Sequence, residues 1–293
     1  VVVNPLASGK TATFDSGSGV QSVGPVTLGG VTGSTSTLTT GPGGALAAAS
    51  LTLAGSAGST TMISLSSSST LTLGGNLTYN ATDHPNGANI SGGPDLSGTL
   101  ALSSGAHTFL IGDSTSAQTD LFVSSRIGGS GGLTKTGAGT LVLNNTNNDY
   151  SGQTWIREGV VAVTFLSGEG SNSSLGSASG TPASIIKVAD GATGATLRYS
   201  GSNLSTTNRG IDLAGTTGGA TLDISGPGSV NFAGPITASG AGSKTLTLTG
   251  NYSFTPSAIS GAIADNSASN KTSILKTGFG TWTLSGANTY TGG

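Results

Sequence analysis

Apolar and polar residues alternate along most of the chain in short runs of roughly four to six residues, closed by Gly, Ser, Asn or Asp. "SLTLAG" (Ser50–Gly55), "TLTLGG" (Thr70–Gly75) and "TLALSSG" (Thr99–Gly105) show the pattern early. "ATLRYSG" (Ala195–Gly201), "ATLDISG" (Ala220–Gly226), "SVNFAG" (Ser229–Gly234) and "KTLTLTG" (Lys244–Gly250) repeat it later. Such a run predicts a strand with one face buried and the other in water. Where it closes on glycine a sharp turn is expected, because glycine accepts the positive φ angles of tight turns. Only "GGALAAASLTLAG", around Ala45–Ala49, carries helix-favouring content. It runs straight into an alternating stretch and is read as a small-residue strand or loop. The class is all-β.

Two architectures accommodate short strands at a spacing of roughly 8–12 residues. A β-sandwich or jelly roll packs bulky, often aromatic residues between two sheets about 10 Å apart. Here aromatic residues are 5% of the chain, and the apolar positions are mostly Leu, Val, Ile and Ala. A parallel β-helix instead stacks medium aliphatic side chains on like residues of neighbouring coils, with Asn, Ser, Thr and Gly in its turns. The pattern therefore predicts a β-solenoid, with the sandwich or jelly roll as the alternative.

One phrase occurs twice: "KTGAGTLVLNNTNNDYSG" (Lys135–Gly152) and "KTGFGTWTLSGANTYTGG" (Lys276–Gly293). Lys135, Thr136 and Gly137 align on Lys276, Thr277 and Gly278; Gly139 and Thr140 on Gly280 and Thr281; Leu143 on Leu284; Asn147 on Asn288. The first copy then has one extra residue, so Tyr150 aligns on Tyr290 and Gly152 on Gly292. An insertion inside a strand would turn every later side chain to the other face, so the Asn-rich stretch is a turn. Leu141 and Leu143, like Trp282 and Leu284, are expected to face inward. The glycine pairs form the approach turn, and the tyrosine packs across the Asn turn. The shared residues contain no nucleophile–base pair and no metal cluster, so the phrase is read as a structural unit.

The longer stretch "GGLTKTGAGTLVLNNTNNDYSGQTWIREGVVAV" (Gly131–Val163) resembles the autotransporter-associated β-strand repeat, also called the passenger-associated transport repeat. "SILKTGFGTWTLSGANTYTGG" (Ser273–Gly293) resembles it too and breaks off before the final strand of that repeat. The resemblance implies a right-handed parallel β-helix in a secreted or surface-exposed bacterial passenger region, serving adhesion, secretion efficiency or matrix structure. No membrane-barrel translocator is visible in these residues, which leaves the export route open. The organisation expected is a solenoid over 1–163 ending in the first motif (131–163), continued over 164–293 to the second (273–293), as one elongated domain.

Composition refines this picture. The chain has 293 residues with 51 Gly, 8% charged residues and a mean hydropathy of +0.10, and Ser plus Thr contribute roughly three residues in ten. Such a composition often marks a disordered linker, but a linker has no reason to alternate. A net charge of −2 with dispersed Lys and Arg offers no basic patch for nucleic acid. No apolar stretch is long enough for a membrane-spanning helix. Cysteine is absent, so stability rests on burial and backbone pairing rather than disulfides.

Candidate chemistry is sparse. A carbohydrate-active β-helix, a polysaccharide lyase or hydrolase, is the enzymatic alternative; it needs acidic residues gathered on one face. The 12 carboxylates are spread from Asp15 to Asp265, although stacked coils can bring distant ones together. "TDHPNG" (Thr82–Gly87), with Asp83 beside His84, is read as a turn. His107 in "GAHTFLIG" is expected to be solvated. "GGPD" (Gly92–Asp95) lacks the spacing of a calcium-binding repeat, and "GGSGG" (Gly128–Gly132) is not followed by a helix that could hold phosphate. No cofactor or metal is expected. A glycan-binding module would show a row of exposed aromatics, which the five Tyr and two Trp do not suggest, though surface glycans stand as a partner class. Self-association is the main partner expectation. The opening "VVV" (Val1–Val3) reads as a strand and the second motif lacks its last one, so two readings fit: a segment of a longer solenoid completed by neighbouring repeats, or copies stacking head to tail into a fibre.

Overall fold

The computed structural model describes residues 1–81, 84–93, 95–251 and 255–293. It is a β-solenoid. The alternating runs form strands throughout, including Ala45–Ala48, and the strand pairings between coils are parallel. A first sheet has ten strands, from Val2–Val3 through Gly132–Thr136 and Thr154–Ile156 to Ile236–Ala238. A second has 11, from Thr11–Asp15 through Thr140–Leu143 and Gly159–Val163 to Thr272–Lys276. The second sheet receives one strand per coil, so the described chain makes 11 coils.

The third wall is made in two parts. A five-stranded sheet runs from Val20–Val23 to Arg126–Gly129, and a four-stranded sheet begins at Leu204–Thr207 and reaches Trp282–Leu284. Between them the wall is closed by irregular chain, in which Leu166, Leu175 and Ala178 are buried. Arg209 lies under this segment, donating from Nε to the Ser184 carbonyl (2.8 Å) and from Nη1 to the Leu175 carbonyl (2.7 Å).

Strand period two places like residues in register along the stack. One column of the second sheet reads Leu38, Ile63, Ile90, Val123, Leu143, Val163, Tyr199 and Ile224, all buried. Each such side chain removes apolar surface worth about 1.5–3 kcal/mol. Buried residues from Val3 to Ile263 form one continuous cluster. The outer faces carry Thr, Ser and Asn, with ion pairs between neighbouring coils: Arg126–Asp149, Arg157–Asp190, Lys187–Asp212 and Arg198–Asp223. These pairs are part-exposed, a setting in which each contributes about 0–1 kcal/mol. Among the described residues no helix is long and apolar enough to cross a membrane.

His107 departs from expectation. It is 2% exposed, because His107, Phe109 and Ile111 form the inward phase of strand Ala106–Ile111. Its ring is held between the carbonyls of Gly75 (2.6 Å from Nδ1) and Ser103 (2.9 Å from Nε2).

Candidate functional site

The first copy of the repeated phrase wraps the corner between the first and second sheets. Lys135 stands on the inward phase of strand Gly132–Thr136, in the column Leu77, Phe109, Lys135, Ile156, Val188. Its stem stacks as a core residue would, and it is 0% exposed. The ammonium bends over the turn that follows, donating to the carbonyls of Thr136 (3.2 Å) and Gly137 (2.5 Å). A third bond, 3.0 Å, reaches the Glu158 carbonyl on the next coil. Burial lowers the Lys135 pKa to about 8, against the opposing pull of Glu158, Asp120 and Asp113.

Carboxylates clamp this turn from both sides. Below, buried Asp120 accepts from Ser114 N–H and Thr140 N–H, both at 2.7 Å, and burial raises its pKa. Above, Glu158 Oε2 accepts the Gly137 N–H (3.1 Å). Gly137 has φ +79°, a conformation that costs a Cβ-bearing residue about 1–2 kcal/mol. Past the turn, Leu141 and Leu143 are buried as expected. The Asn-rich segment then takes the place of a third-wall strand. Asn148 Oδ1 accepts the N–H of Ile127 (2.7 Å), and Asp149 N–H donates to the Ile127 carbonyl (3.0 Å). This closes the edge of the five-stranded sheet at its last strand. Tyr150 is 0% exposed, its hydroxyl bonded to Thr154 Oγ1 (2.8 Å), and burial pushes its pKa up to about 12. Gly152 N–H donates to the Gly131 carbonyl (3.2 Å), returning the chain to the first sheet. The Lys135-to-Ile156 step takes 21 residues (135 to 156), against 26 for Leu51 to Leu77, because no third strand is made.

The second copy reproduces this geometry at another corner. Lys276 ends the inward column Leu222, Leu248, Lys276 of the second sheet, and Trp282–Leu284 belongs to the third wall. Lys276 Nζ donates to the Thr277 carbonyl (2.5 Å) and the Gly278 carbonyl (2.9 Å). Gly278 has φ +65°, and Gly280 N–H bonds the Gly250 carbonyl (2.8 Å). The strand residues Trp282 and Leu284 are half-buried against the core, with Trp282 near-parallel to Phe232, while Thr281 is exposed. Asn288 Oδ1 accepts from Ile263 N–H (3.0 Å), Thr289 N–H donates to the Ile263 carbonyl (2.8 Å), and Gly292 N–H donates to the Thr272 carbonyl (3.0 Å). Tyr290 is half-buried. The partner of Asn288 is therefore Asn148, not Asn147: the extra residue lies one position earlier than the direct alignment puts it.

The inward direction of Lys135 was available from the alternation, since it shares the phase of Leu133. Asp120 and the Glu158–Gly159 turn carry no local signal; only the stacking of coils brings them to the phrase.

Of the other candidates, Asp83 and Thr82 lie outside the described residues. His84 is buried, its Nε2 on the Ser59 carbonyl (2.9 Å) and its Nδ1 on the Tyr79 hydroxyl (2.8 Å), and burial lowers its pKa. Ser103 Oγ lies 3.4 Å from His107 Nε2, but Nδ1 faces a backbone carbonyl where a catalytic triad would have a carboxylate. Among the described residues no group of three or more His, Asp or Glu side chains is placed to hold a metal ion. A groove of about 450 Å³ is lined by one carboxylate, Asp95, with Ser97, Arg126 and Asn144–Asn147.

The passenger-associated-transport-repeat family matches residues 133–163 and 274–293, the two segments whose geometry coincides. The chain carries this transport repeat twice. Over 196 residues, 66% of its length, it is 34% identical to the adhesin BmaC autotransporter of Brucella suis biovar 1 (strain 1330). An extracellular serine protease of Serratia marcescens is 60% identical over 40 residues, 14% of the chain. The chain spans 5% of the length of the adhesin and 4% of the protease. No solved structure matches it. In both transport repeats the shared lysine and asparagine bond backbone groups, and Gly137 and Gly278 turn the chain with positive φ.

Proposed function

We propose that the chain is a non-enzymatic, adhesive element of a secreted or cell-surface bacterial protein, whose working part is the outer face of a rigid solenoid. The observation that carries this reading is the similarity to an autotransporter adhesin over two thirds of the chain, joined to an uninterrupted core and a skin of Thr, Ser and Asn. Surface glycans suit such a skin, which offers hydroxyl and amide groups in repeated rows. The outermost described strands, Val2–Val3 and Trp282–Leu284, pair on one side only. Each can accept a further coil of the same polypeptide or of a second copy, which is the route by which fibres would form.

The test is display of the chain on a non-adherent bacterium, with counting of bacteria retained on epithelial monolayers and on glycan-coated surfaces. Retention several-fold above a displayed, unrelated solenoid is expected. Equal retention at equal display would overturn the adhesive reading. Sedimentation of the purified chain over a range of concentrations tests self-association separately.

A further inference from the structure

We infer that the Lys-Thr-Gly-x-Gly turn is a preformed clasp that selects the coil stacked next, its partner being a following strand–turn–strand segment that carries a Glu-Gly turn. The two copies show the clasp in two conditions. In both, the lysine comes off an inward column and holds the carbonyls of the next two residues of its own coil. Those bonds need nothing from outside the turn. In the first copy a third acceptor, the Glu158 carbonyl, arrives from the next coil. The second copy has the same two bonds, and Lys276, Gly278 and Phe279 are exposed, Phe279 to 88%.

The following coil is recognised at three points. Its backbone carbonyl completes the ammonium, and its Glu158 side chain takes the N–H of Gly137, which the positive φ turns outward. Gly159 then lies flat on the turn: a Cβ there would come within 2.5–2.7 Å of the carbonyls of Gly137, Ala138 and Gly139. Gly159 itself has φ +69°. A residue other than glycine is excluded twice, by conformation and by contact. Arg157 N–H meanwhile bonds the Lys135 carbonyl (2.9 Å), which fixes the register of the incoming strand. A carbonyl, a carboxylate and a missing side chain, in consecutive residues, make a three-part lock that an arbitrary strand edge would not satisfy. The face around Lys276 presents the same turn as the lower side of the coil–coil interface at Lys135, so its occupant is a coil of the kind formed by Thr154–Val163.

Extending the full chain after Gly293 with the sequence TWIREGVVAV, that of Thr154–Val163, tests this directly. Gly293 occupies the place of Gln153, so the spacing is kept. Amide hydrogen exchange of Gly278 is expected to slow at least about tenfold in the extended chain. Replacing the appended glycine by alanine, the appended glutamate by alanine, or Lys276→Met should each remove most of that protection. Lys276→Arg should retain part of it. Protection that survives all of these changes, or no protection in the correctly folded extended chain, overturns the proposal. So does concentration-dependent protection of Gly278 in the unextended chain, since the occupant would then be a second copy. Trp282 fluorescence reports in each variant that the wall beneath the clasp has folded.

Discussion

The two copies of the transport repeat use the same residues in unlike surroundings. In the first, coils lie on both sides: Lys135 and Tyr150 are fully buried. In the second, Lys276 is exposed and Tyr290 half-buried, although the lysine's two bonds within its own turn and the asparagine Oδ1 bond to the wall are made in both. The turn is thus built by its own residues, while its energetic weight comes from the coil laid over it. A solenoid gathers stability mainly from contacts between neighbouring repeats, and here one phrase displays both parts separately.

The contrast is sharpest where only the first copy has a neighbour above. Gly159→Val places a branched side chain on three carbonyls in a positive-φ conformation and should cost more than about 3 kcal/mol. Urea unfolding followed by Trp155, in a variant lacking Trp282, measures it. Lys135→Met keeps the apolar stem but leaves three carbonyls without their donor, for a loss of about 2 kcal/mol after relief of the buried charge. Lys276→Met should change stability by less than about 0.5 kcal/mol. Equal losses at the two lysines would show that the covering coil adds nothing.

The same contrast has a pH signature. The folded pKa of Lys135, about 8, lies below its ordinary 10.5, so between these values the unfolded chain binds more protons and stability rises with pH. The gain should reach about 2.5 kcal/mol by pH 10, with Lys244, lowered by its own burial, adding in the same direction. Above pH 10 stability should fall, because Tyr150 holds its proton to about 12 while the unfolded tyrosines ionise. Stability curves at stepped pH check this, and Lys135→Met should remove most of the rise. The smallest effect is at the tyrosines. Tyr150→Phe loses the bond to Thr154 and about 1 kcal/mol, whereas Tyr290→Phe should be near neutral. Thermal unfolding of the pair suffices.

Much of this was legible in the sequence. Alternation marked the strands, aliphatic rather than aromatic apolar positions favoured a solenoid, and the repeated phrase was recognised as a structural unit with its insertion in a turn. His107 differs from expectation: it shares the buried phase of Phe109 and Ile111, a polar residue on the inward face of its strand. Asn288 corresponds to Asn148 rather than Asn147, and one of four nearby asparagines can be chosen only by knowing which amide it bonds. Asp120 and Glu158 are not legible in the sequence, lying 20 and 21 residues from Thr140 and Gly137, the groups of the phrase that they bond.

The sequence by itself determined the strands, their inward phase and the shape of each lysine turn, because these depend on neighbours within a few residues. Only the tertiary structure decided which walls each turn joins and whether its lysine is buried. The first copy turns from the first sheet to the second, and the other from the second sheet to the third wall. That difference accumulates from the lengths of all the coils between them. Burial, in turn, is a property of the coil stacked above, which no residue of the phrase itself contains.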